Sequence, residues 1–184
     1  MVNPFIKYGV RAIFACTGRK AASGWALAAL NHYVDLMRPL SEEQGRTPVT
    51  APSMPGVDED MRGWSLYQML EHNVIVNRAI SATVIQLARG ESLNGEALTD
   101  PKHGVMPSVD PGPEIMDIFA GSVQSHIDAA AKLGPLRGTA RSDHTVFGSF
   151  DAHRWHCMFG FHLKLHLKQA RYVAAQLNSA DIST

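Results

Sequence analysis

Residues 151–177 read DAHRWHCMFGFHLKLHLKQARYVAAQL, and the way this stretch divides into faces decides the fold. At about 100° per residue, Trp155, Met158, Phe159, His162, His166, Gln169 and Val173 fall in one sector, while Arg154, Lys164, Lys168 and Arg171 fall elsewhere. The pattern predicts a long amphipathic helix whose apolar stripe faces a helical core. His162 and His166 ride on that stripe, four residues apart, so their side chains lie one above the other.

Three further segments carry the same period. Residues 21–37 place Leu27, Leu30, Val34 and Met37 at helical spacing, and Pro39 stops them. A loop rich in Pro, Gly and Ser follows, to Gly63. Residues 65–89 open with Ser65 and Gln68, an S-x-x-Q capping box, and end at Gly90. On this helix His72 centres a face with Gln68, Met69, Ile75, Val76, Ala79 and Thr83, while Glu71, Asn73 and Arg78 point away. Residues 91–111 form a connection long enough to be functional, with 102–110 expected to close over a pocket. Residues 113–133 place Ile115, Phe119, Ser122, His126 and Ala130 on one face before Gly134-Pro135 breaks the helix. A short extra helix is expected before Ala21. No internal repeat is present, and no alternation is long enough for a sheet. The reading is an all-α fold, a four-helix bundle with long connecting loops, in one domain spanning 1–184.

Composition narrows the function classes. Seventeen basic and seventeen acidic residues give zero formal charge, so no electrostatic footprint for nucleic acid or an anionic membrane is present. No apolar run approaches the ~18 residues of a membrane span. Residues 10–16 (VRAIFAC) end in small residues before Cys16, slightly like a lipoprotein signal, but the apolar run is short and broken by Arg11, so a signal peptide is not expected. With only Cys16 and Cys157, a disulfide framework is not expected and a reducing cytoplasm is. Cys157 reads as a small buried hydrophobe.

Nine histidines are the compositional oddity. His72, His162 and His166 all face inward, and buried polar groups need partners. One metal ion is one solution: three protein ligands leave a coordination position open, as catalytic sites do. Hydrogen bonds to Gln68, Gln169 or water are the other. His126 faces inward alone, as a pocket or ligand-supporting candidate. His153 and His156 rotate off the stripe and read as surface or boundary residues, His32 as exposed, and His103 as part of the long loop.

Several site classes are absent. There is no H-E-x-x-H, no Glu-x-x-His, no C-x-x-C-H, no P-loop, no G-x-G-x-x-G and no G-x-S-x-G. What remains is a set of landmarks. His144-Thr145-Val146-Phe147-Gly148 leads into a helix with Trp155, His162, His166 and Gln169, and Trp64-Ser65 opens the helix that carries His72. These resemble the signature of the DinB/YfiT-like metalloenzyme superfamily, over most of the chain. Thr145 stands where that family has Pro, and Leu165 where it has a second adjacent His.

The resemblance implies an up-down-down-up bundle and a three-His site of His72, His162 and His166 for nickel, zinc or iron. It implies a fold and a metal site more than a reaction; characterised members of the family include thiol-dependent S-transferases and a thiol-dependent isomerase. The reading taken is a metal-dependent enzyme on a small-molecule substrate, a transferase using a low-molecular-weight thiol first and a hydrolase next. The ion would lower the pKa of a bound water or thiol toward neutrality. Gln68, Gln169 and His126 would support the ligands. Arg137 and Arg141 are weak candidates for holding an anionic thiol, and a homodimer is left open as the assembly. The competing reading is non-catalytic: a helical protein whose histidines bind metal for stability or simply hold the core. The lack of an inward Asp or Glu as general base favours it.

Overall fold

The computed structural model describes residues 4–91 and 104–181, and those residues are mostly helical. The elements are α1 (Pro4–Cys16), α2 (Arg19–Met37), α3 (Glu42–Arg46), a 3-10 turn (Glu59–Met61), α4 (Leu66–Ala88), α5 (Ile115–Lys132), β1 (Arg141–His144), β2 (Gly148–Asp151) and α6 (Ala152–Asp181). The expected extra helix before Ala21 is α1. No described helix is long and apolar enough to cross a membrane.

Local signals explain the boundaries. Ser65 Oγ accepts from the Gln68 amide and Gln68 Oε1 accepts from the Ser65 amide, closing the capping box at the start of α4. Gly90 ends the helix at φ +80°, a conformation costly for any residue with a Cβ. The same device recurs at Ser41 and Gln44, which cap α3 inside the segment expected to be loop.

Packing joins α2 to α6, α6 to α4, α4 to α5 and α5 back to α2, while α1 lies against α6. One hydrophobic cluster draws on all of them, including Phe14, Tyr33, Leu70, Phe119, Phe159 and Leu163. At Gly160 a Cβ would sit 2.8 Å from Trp25 Cβ and 3.1 Å from the Ala26 amide nitrogen. Only glycine lets α2 and α6 approach that closely.

Three expectations are corrected. A two-stranded antiparallel hairpin, pairing Arg141 with Asp151 and His144 with Gly148, stands where no strand was expected. Its strands have four residues each, too short to show alternation. Secondly, of the four residues spaced along α2, Leu30 is buried and Val34 and Met37 pack against the core, but Leu27 stays 45% exposed, and Ala22, Ala26, Ala29 and Tyr33 join Leu30 on the buried face. Thirdly, His153, His156 and Asn73 are buried, not peripheral. The first turns of α6 are covered by α1 and α2 as well as by the core stripe. His153 Nε2 bonds the Thr17 carbonyl at 2.9 Å, and Asn73 Nδ2 donates to Tyr33 Oη at 3.2 Å. His32 is exposed, and Cys157 is buried with its thiol pushed up to about 12 by burial.

Candidate metal centre

Helices α4 and α6 bring His72, His162 and His166 together. One ring nitrogen of each lies within 4.8 Å of those of the other two, so the group could hold a metal ion. Ring centroids are 5.3 Å apart for His72 and His162, and 4.7 Å for each of the other two pairs. Trp64 packs on His72, with centroids 5.0 Å apart.

Hydrogen bonds decide which nitrogens remain available, because the partner of one ring nitrogen sets the tautomer. His72 Nδ1 lies 2.7 Å from the Val105 carbonyl, which can only accept, so Nδ1 carries the proton. The lone pair is then on Nε2, which is buried without a protein partner. Gln169 Nε2 donates to the Met61 carbonyl at 2.7 Å, which leaves Oε1 to face His166 Nδ1 at 3.3 Å. His166 therefore also carries its proton on Nδ1 and frees Nε2. His162 Nδ1 is buried and unpartnered. Burial pushes all three imidazoles below the ordinary histidine range, His166 to about 3, and their mutual proximity adds to this for His162 and His166. The neutral imidazole is the form that ligates a metal. Orphaned buried nitrogens on a neutral three-imidazole set fit a divalent ion of borderline softness.

These histidines line a cavity of about 260 Å³. Met61, Val76, Ile80, Val105, Trp155 and Met158 supply apolar wall, and Asp58, Asp143 and His144 supply polar wall. His144 Nδ1 faces the Val146 and Phe147 amides at 3.1 and 3.4 Å, so it accepts from both and the ring proton sits on Nε2. Burial holds this imidazole at about 4, neutral at physiological pH. The 104–110 segment also reaches the site: Val105 bonds His72, and Glu71 holds both the Ser108 amide and hydroxyl at 2.7 Å. Lys102 and His103, part of the expected loop, lie outside the described residues.

Two expected supports stand elsewhere. Gln68 is engaged by its capping box and donates to the Ser108 and Val109 carbonyls, so it pins the loop instead of orienting an imidazole. His126 belongs to a separate polar chain. Its Nδ1 lies 2.9 Å from Ser81 Oγ and its Nε2 2.9 Å from His156 Nδ1, with the ring stacked 3.7 Å from Phe159. Arg137 caps the Thr17 carbonyl, and Arg141 turns to Ser149, so neither lines the cavity. Sequence reasoning missed Asp58 and Asp143. They sit in a loop and a hairpin, where no helical period points inward; the nearest signal was the landmark beginning at His144.

Comparisons with protein-family models, with curated proteins and with solved structures returned no match to this chain, so the reading of the centre rests on its own geometry.

Proposed function

We propose that α2, α4, α5 and α6 form a DinB-like four-helix bundle in up-down-down-up order, and that His72, His162 and His166 hold one divalent ion in an enzyme acting on a small molecule. The closed circuit of contacts α2–α6–α4–α5 supports the architecture. One observation carries the function. Three neutral imidazoles converge at a cavity, and two of them present a buried nitrogen with no protein partner. Histidines kept only to fill a core would have both nitrogens bonded, as His126 and His156 do.

An ion bound there, nickel, zinc or iron, would supply Lewis-acid polarisation and lower the pKa of a ligated thiol or water. The protein's own groups do the rest. Val105 and Gln169 fix the tautomers of His72 and His166. Trp155, Met158 and Val76 exclude water from an apolar substrate body. His144 offers a fixed Nε2–H to a substrate oxygen. In thiol transfer the sulfur would bond an electrophilic carbon, the thiol proton would pass to solvent, and the leaving group would depart with its electron pair. Hydrolysis is the second reading, favoured by the polar wall of Asp58, Asp143 and His144, which admits water to the cavity.

Metal content of the purified protein tests the centre, together with thermal scans with and without chelator. About one ion per chain and a chelator-sensitive melting point support it. Incubation of a thiol and an alkylating electrophile with metal-loaded or chelated protein tests the reaction. Failure to take up nickel, zinc or iron from solution rejects the whole reading.

A further inference from the structure

The polar wall of the cavity is one-sided in charge. Asp58 follows the tight turn at Gly56, and Asp143 sits on β1; both are exposed and line the same cavity. Neither makes an ion pair with any described residue. The arginines beside them in sequence face other partners. Arg62 bonds Glu59 and the Ala51 carbonyl at 2.7 Å each, and Arg141 bonds Ser149. Among the described residues no Lys or Arg lines the cavity. At its floor His72, 2% exposed, aims an unpartnered Nε2 into the same space.

From this we infer that the cavity takes a small ligand with a positively charged end, an amine or a guanidine, held at the mouth by Asp58 and Asp143. Its apolar body lies along Trp155 and Met158, and its far end reaches the three-His floor. The inference rests on the reading of that floor as a metal centre, and it adds the substrate class. Two carboxylates with no protein cation attract a cationic group and repel an anionic one. His144 supplies a neutral N–H only, so a ligand carboxylate or phosphate finds no charged partner in the described wall. Because both acids are exposed, the selectivity is moderate and weakens with salt.

Three probes with the same thiol head and chain length isolate the charge: 6-amino-1-hexanethiol, 6-mercapto-1-hexanol and 6-mercaptohexanoate. Their affinities for the full chain loaded with cobalt(II) are read from the thiolate-to-cobalt absorption band. At low salt the amine binds about fivefold tighter than the alcohol, and the carboxylate about fivefold weaker. Raising salt compresses the series, and Asp58→Asn with Asp143→Asn abolishes it; both side chains are exposed, so the double variant folds. Equal affinities, a preference for the carboxylate, or an amine preference that survives the double substitution overturns the inference and leaves the metal centre standing. If the chain takes up no cobalt, the metal-centre reading fails and the inference falls with it; if cobalt is held but none of the three thiols binds, the inference alone is overturned.

Discussion

Besides the lone His153, the buried histidines among the described residues fall into two clusters, and these differ in what their nitrogens touch. In the pair on α5 and α6, His126 joins Ser81 to His156, and His156 Nε2 lies 3.2 Å from both Ser23 Oγ and the Arg19 carbonyl. Every ring nitrogen there has a protein partner. In the trio on α4 and α6, His72 Nε2 and His162 Nδ1 have none, and the rings line a cavity. Both groups are desolvated and both are held neutral. Burial and a lowered pKa therefore do not separate a structural histidine from a ligand. The orphaned nitrogen does, since a buried polar group without a partner is costly unless something else uses it.

The largest effect that can break the comparison is on metal affinity. His72→Ala or His166→Ala removes one of three ligands, and affinity for zinc should fall by at least ~100-fold. His126→Ala should leave it unchanged. Stability of the metal-free protein should run the other way. His162→Leu removes a desolvated nitrogen that bonds nothing, so its metal-free stability should stay within about 1 kcal/mol of the parent. His126→Ala strands Ser81 and His156 and opens a hole beside Phe159, which costs about 3 kcal/mol. Zinc titration and chemical denaturation of the chelated proteins read the two halves. Comparable zinc loss in His126→Ala would dissolve the distinction.

This division was only half legible in the sequence. The i, i+4 spacing of His162 and His166 and the inward face of His72 come directly from helical periodicity, as do the long helices themselves. Periodicity misread His153 and His156 because it assumes one wet side, whereas α6 is covered by α1, α2, α4 and β2. It also missed what depends on irregular backbone. Asp58 and Asp143 enter the cavity from a turn and a hairpin, and Gln68 answers to a loop forty residues away. The capping box at Ser41 and Gln44 was readable, being the same signature as Ser65 and Gln68, but its helix is only five residues long.

Acid sharpens the contrast next. Burial, with His156 nearby, lowers His126 to about 3, against about 6.5 in an unfolded chain. Between those values the unfolded state binds a proton that the folded state refuses, so stability falls as pH drops and is flat above about 7. His156, itself lowered by burial and with His153 and Arg19 as neighbours, acts in the same direction. From His126 alone the loss by pH 5 is about 2 kcal/mol. Denaturation of the chelated protein at pH 7, 6 and 5 measures it. In His126→Phe, which keeps a ring against Phe159, the slope should shrink. An unchanged slope would assign the acid lability to other groups.

The smallest effect lies where the two kinds of bonding meet, at Gln169. Its side chain is fully buried and does both jobs: Nε2 satisfies the Met61 carbonyl, and Oε1 holds the proton of His166 Nδ1. Gln169→Leu, similar in volume, loses both. It should weaken zinc binding about tenfold, the range for a group that orients a ligand, and cost about 1–2 kcal/mol through the unpaired Met61 carbonyl. Gln169→Glu separates the jobs. A carboxylate still accepts from His166 Nδ1, and more strongly, so zinc affinity should match or exceed the parent. Yet it sets an anion against the Met61 carbonyl, so metal-free stability should fall at least as far as in the leucine variant. Zinc titration and chelated denaturation of both proteins decide the matter. If glutamate and leucine lower zinc affinity alike, the bond to His166 does not orient a ligand, and Gln169 belongs with His126 and His156 as a purely structural group.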